Sequence, residues 1–101
     1  MTIMLGKYAE FNPGFDMPSI KEDFAEAPYK GQKVIAEYLK KGELVLAKAG
    51  KDEDVFTHER IPDEAGLRTD GEYSWNANLH YYVEKYNLKL PKEFEKKVLD
   101  Y

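Results

Sequence analysis

Between Thr69 and Phe94 the chain changes its hydrophobic period, and this limits its possible folds more than any other feature. Leu67-Arg68-Thr69 and Glu72-Tyr73-Ser74-Trp75 flank Asp70-Gly71, which reads as two short strands on a tight hairpin. A type I′ turn needs positive φ at both central residues, and Asp-Gly is favoured there. After Trp75 the period becomes helical. Asn76 is a good N-cap, and Leu79, Tyr82, Val83 and Tyr86 mark an apolar stripe. Asn87 can close that helix in the left-handed region. Leu88 and Leu90 bracket Lys89 in a short extended crossing. Pro91 then suits the first position of a last helix, over residues 92–100, pinned by Phe94 and Val98 one turn apart. Strands followed directly by helices indicate an α+β domain.

The upstream sequence adds elements of both kinds. Ser19-Ile20-Lys21-Glu22 is a capping box, so a short helix is expected over residues 20–26, ending before Pro28. Residues 31–41 predict an amphipathic helix with Val34, Ile35, Tyr38 and Leu39 on one face, and Gly42 is placed as a left-handed C′ residue. Glu43-Leu44-Val45-Leu46-Ala47 is too short an apolar run for a helix and reads as a strand, turned by Gly50-Lys51-Asp52. Residues 54–61 read as a further strand stopped by Pro62. The facing of that strand is ambiguous. Phe56 inward carries His58 and Arg60 with it, whereas Val55 inward carries Thr57, Glu59 and Ile61; a bulge would reconcile the two. The expected fold is α+β, a small antiparallel sheet of three or four strands with three or four helices packed on one face.

A chain of 101 residues is read as a single domain, 1–101. At that length folding hides roughly 60–70% of the surface of the unfolded chain, enough for one core. There is no cysteine, hence no disulfide and no thiolate chemistry. The N-terminal residues have no basic segment and no long apolar run, so no secretory leader is expected, and no stretch has the apolar length of a membrane span. These features are expected of a cytoplasmic protein.

The net charge of −4 is unevenly placed. Residues 51–75 carry 8 acidic and 3 basic side chains, while the segments before and after are balanced or slightly basic. Such a surface repels phosphate backbones and argues against nucleic acid; it suits a basic protein partner. Asp52, Glu53, Asp63, Glu64, Asp70 and Glu72, with Tyr73 and Tyr81, are therefore the candidate partner-binding residues. Tyr81 and Tyr82 lie about 100° apart on a helix, so one of the two should face water.

Catalytic signatures are weak. His58 with Glu59 and Asp52, Asp54 or Asp63 could form a mixed metal site, but no ligand spacing makes it specific. His80 reads as a packing residue near Trp75. Asp63-Glu64 and Asp70/Glu72 sit in turns, where water keeps carboxylates ionised and ordinary, and Ser74 has no nucleophile-elbow context. No catalytic residue, metal site or cofactor is assigned.

The run Thr69-Asp70-Gly71-Glu72-Tyr73-Ser74-Trp75, with Leu79, Tyr81-Tyr82-Val83 and Leu90-Pro91-Lys92-Glu93-Phe94, resembles the C-terminal block of a group of small uncharacterised bacterial proteins. The resemblance covers the last third of the chain. It implies a bacterial cytoplasmic origin and carries no activity, cofactor or site residue. Some small acidic α+β proteins of this kind are immunity or antitoxin-like partners, which is analogy at the level of fold. The leading expectation is a non-enzymatic protein-binding module with an acidic surface. The alternatives are a small metal-assisted hydrolase using His58 and neighbouring carboxylates, and a structural homodimer.

Overall fold

The computed structural model describes residues 2–12 and 14–99. Four strands, β1 (Ile3–Met4), β2 (Glu43–Lys48), β3 (Ala65–Thr69) and β4 (Tyr73–Asn76), form one sheet in the order β1-β4-β3-β2. Three helices, α1 (Gln32–Lys41), α2 (Leu79–Tyr86) and α3 (Lys92–Leu99), complete the α+β fold, with 3₁₀ turns at Ala9–Phe11 and Ile20–Asp23. The pairs β2–β3 and β3–β4 are antiparallel, as expected. The edge pair β1–β4 is parallel, so the sheet is mixed. The weak strand signal at the N-terminus carries no sign of its direction; that is set by where Leu5 and Tyr8 find cover in the core.

On β4, Tyr73 and Trp75 turn to the core, while Ser74 and Asn76 are only partly covered, which is the period of a half-buried strand. Trp75 joins three layers. Its indole N–H donates to the Leu39 carbonyl of α1 at 3.0 Å, and its ring meets Phe94 of α3 edge-on. Gly42 serves this contact and not a left-handed cap. Its backbone is extended, and a Cβ there would lie 2.5 Å from the Trp75 ring. The buried face of α1 is Ile35, Ala36 and Leu39; Val34 is exposed. Helical periodicity admitted both placements, and packing against α2 and α3 selected one.

The hairpin expected at Asp70-Gly71 forms, but not as the I′ type. Gly71 alone has positive φ. Asp70 precedes the turn, and its carboxylate accepts the amides of Glu72 and Tyr73 at 2.9 and 2.7 Å. The capping box at Ser19 is present, with the Glu22 carboxylate taking the Ser19 amide at 3.1 Å, but the helix it opens is a 3₁₀ turn ending at Asp23. The Asn76 side chain accepts the Asn78 amide at 2.8 Å, and α2 starts at Leu79. Asn87 closes α2 at φ 58°. Pro91 stands one residue before α3, and its carbonyl takes the amides of Phe94 and Glu95.

The strand expected at 54–61 is absent. The segment is a turn-rich loop with one bridge between Glu53 and Arg60, and His58 has a φ of 64°. No bulge is needed to settle its facing, because Asp54 folds the chain onto itself. Among the described residues no helix is long and apolar enough to cross a membrane.

Candidate functional site

The loop at 52–61 and the start of α2 build one another. Asp54 is fully buried. Its carboxylate accepts the amides of Phe56 and Thr57 at 2.7 and 3.2 Å and the hydroxyls of Tyr81 and Tyr86 at 2.7 and 2.6 Å, with the Lys85 ammonium at 3.5 Å. Burial alone opposes ionisation, but the Tyr86 and Tyr81 hydroxyls and the two amides outweigh it and hold the carboxyl well below the usual carboxylate range. Burial and the same carboxylate push the Tyr86 phenol up to about 12. Tyr82 is buried, and its hydroxyl accepts the Val55 amide at 3.1 Å. Neither Tyr81 nor Tyr82 is a free surface tyrosine. Tyr81 is half-buried with its hydroxyl committed to Asp54.

This scaffold fixes a cleft of about 180 Å³ lined by Phe11, Lys48, Asp52, Glu53, Val55, Ile61, Asn76, Asn78 and Tyr82. Asn78 is only 1% exposed. Its Nδ2 donates to Asp52 Oδ2 at 2.9 Å, and its Oδ1 has no partner. The assignment is physical, because turning the amide over would set its oxygen against the Asp52 carboxylate. A buried carbonyl oxygen without a donor costs about 1–3 kcal/mol. The Asp52 main chain is held by the Ile61 amide at 2.8 Å, and its Oδ1 faces the Lys48 ammonium at 3.4 Å. The cleft presents the carboxylates of Asp52 and Glu53 against apolar walls from Phe11, Val55 and Ile61. Its chemistry suits a group that is cationic and rich in donors. Its volume suits a side-chain head, since sites for drug-sized ligands occupy roughly 300–1,000 Å³.

The other acidic candidates lie elsewhere. Asp63 and Glu64 line a second depression with Lys40, Arg68, Ala77 and His80, where two cations offset the acids. His80 is buried, with Nε2 2.8 Å from Asp63 and Nδ1 buried without a partner. The nitrogen free for proton transfer is therefore closed off from any substrate. Asp70 and Glu72 are tied to Lys97 at 2.9 and 2.8 Å, and Asp70 also accepts the Tyr38 hydroxyl at 2.6 Å. Burial opposes charge on Asp70, but Tyr38, the Tyr73 amide and Lys97 keep its carboxyl well below the usual range. Tyr73 is 8% exposed and packs edge-on against Phe94. Asp70 and Tyr73 are thus withdrawn from the surface that was to bind a partner.

His58 projects from its left-handed turn with its side chain 78% exposed, 3.8 Å from Glu53. Among the described residues no three His, Cys, Asp or Glu side chains are grouped as a metal set. A larger, mostly apolar depression of about 480 Å³ lies along residues 28–34 and Glu84, but no unpartnered buried polar atom lines it. Asn78 was missed as a site residue. Its only sequence signal was a second asparagine two places after a capping one, which reads as helix-start chemistry.

Comparison with family models, with curated proteins and with solved structures returned no match. No activity or site residue is transferred to the chain by likeness.

Proposed function

We propose that this protein is a non-enzymatic binding module that takes a basic side chain of a partner protein into the Asp52–Asn78 cleft. One observation carries the reading. The Asp52 carboxylate, held at 2.9 Å by the buried Asn78 side-chain amide and facing the exposed Lys48 ammonium at 3.4 Å, lines with Glu53 a cleft sized for a side-chain head. An ammonium or guanidinium donates to the Asp52 carboxylate, and charge-assisted bonds of that kind are the stronger ones. Lys48 is the resident cation and the competitor that a ligand displaces. A basic toxin-like partner is compatible with the site by analogy of fold alone.

The test is titration with capped arginine and lysine amides, and with a capped glutamine amide as the neutral control, followed through the side-chain amide resonances of Asn78. Saturable shifts are expected with the two cations and not with glutamine. Asp52→Asn should weaken binding about tenfold or more, since charge-assisted bonds contribute roughly 1.5–3 kcal/mol. Lys48→Met should strengthen it. Charge reversal at Asp63 and Glu64, in the other depression, should leave it unchanged. Equal response to glutamine, or an unaffected Asp52→Asn variant, would sink the proposal.

A further inference from the structure

Strand β2 is an open edge of the sheet. Among the described residues its outer side makes no backbone hydrogen bond, and Val45 and Leu46 are 53% and 58% exposed. Such edges invite pairing with another strand.

The register shows which backbone groups are free. The Asp70 amide donates to the Tyr73 carbonyl, and the Ala77 amide to the Gly66 carbonyl, at 3.1 and 2.8 Å. Antiparallel ladders alternate, so Arg68, opposite Trp75, also turns its N–H and C=O toward β4. Leu67 and Thr69 turn theirs toward β2, where their partners are Leu46 and Glu43. Leu44 and Ala47, opposite Arg68 and Gly66, are left with N–H and C=O directed outward.

The side chains follow an unusual phase. In a regular strand, Glu43 and Lys48 are five apart and point to opposite faces. The shift of register between Leu44 and Leu46 removes that opposition. Glu43 stands opposite Thr69 and Lys48 opposite Ala65, four apart on β3, so both acid and base lie on one face. Leu44 and Ala47, opposite Arg68 and Gly66, share the other.

We propose that a second copy of this chain docks on the β2 edge, antiparallel and related by a two-fold axis normal to the sheet. Leu44 and Ala47 exchange backbone hydrogen bonds with Ala47 and Leu44 of the other copy. Glu43 faces Lys48 at both ends, and Val45 and Leu46 cover one another at the centre. A two-fold of this kind requires opposed residues to share a face, which Glu43 and Lys48, and Leu44 and Ala47, do in the bulged strand and would not in a regular one. One short edge buries little area, so the dimer is concentration-dependent.

Sedimentation over a wide concentration range tests it. The mass should rise from one chain toward two. Ala47→Pro removes an outward N–H, a change edge strands tolerate, and should leave a folded monomer by circular dichroism. Glu43→Lys or Lys48→Glu alone turns two attractive pairs into repulsive ones and should raise the dissociation constant about tenfold; the two together should restore it. A wild type that stays monomeric throughout, an Ala47→Pro protein that dimerises like wild type, or a double variant that does not recover would each overturn the proposal.

Discussion

At the scale of the residue, Asp54 does more than its place in the sequence suggests. One carboxylate organises two amides of its own loop and two tyrosine hydroxyls of α2. Removing it leaves several buried donors without an acceptor, each worth about 1–3 kcal/mol. Asp54→Ala is therefore expected to cost about 2–4 kcal/mol, read as a lower midpoint in urea. Because the folded-state pKa lies below the unfolded one, the stabilisation is complete above the unfolded value of roughly 4 and is lost as pH falls through the lower folded value. Asp70 acts in the same direction. Asp54→Asn should therefore flatten the loss of stability between neutral and acid pH; an unchanged acid limb would contradict this account. In the sequence the carboxylate was one of eight acids in residues 51–75, notable only as a possible ligand beside His58. Its burial depends on Tyr81 and Tyr86, some thirty residues away, so no local pattern could reveal it.

Among the elements, those with strong local signals were legible. The hairpin, α1, α2 with its Asn87 stop, and α3 after Pro91 all follow from period, caps and breakers. The failure at 54–61 has a physical cause: β-branched and aromatic residues favour strands only when a neighbour strand pairs with them. Here the Asp54 carboxylate satisfies the amides first. The bulge in β2 likewise needs its partner to exist. Gly66 sits opposite Ala47, just beyond the bulge, at φ 141°, and a Cβ there would come 1.9 Å from the Leu46 carbonyl oxygen. Gly66→Ala should destabilise by several kcal/mol, about 3 or more, with the loss concentrated in the β2–β3 ladder. Amide exchange across residues 43–48 would report it; protection equal to wild type would show that the close approach is not obligatory.

Across the whole molecule, α3 holds the hairpin to α1, and the buried part of that contact centres on Phe94. Phe94 is fully buried and meets Tyr38, Tyr73 and Trp75 edge-on. Phe94→Ala should cost about 3–5 kcal/mol, and Trp75 emission should follow the same lowered transition as circular dichroism. Two separated transitions would mean that α3 is an independent appendage. The candidate site is a product of this scale as well. Asp52 was legible as an acid worth watching, because charge is counted without knowing the fold. Tyr82 was read as part of a core stripe, and it is that too. The sequence by itself determined the α+β class, most element types and the concentration of negative charge in residues 51–75, since these depend on neighbours within a few residues. Tertiary structure alone decided the parallel β1, the burial of Asp54, the split of the acids into separate clusters and the unpartnered Asn78 oxygen. Each of those depends on which distant group fills a hydrogen bond or a void, and that is settled only when the chain closes on itself.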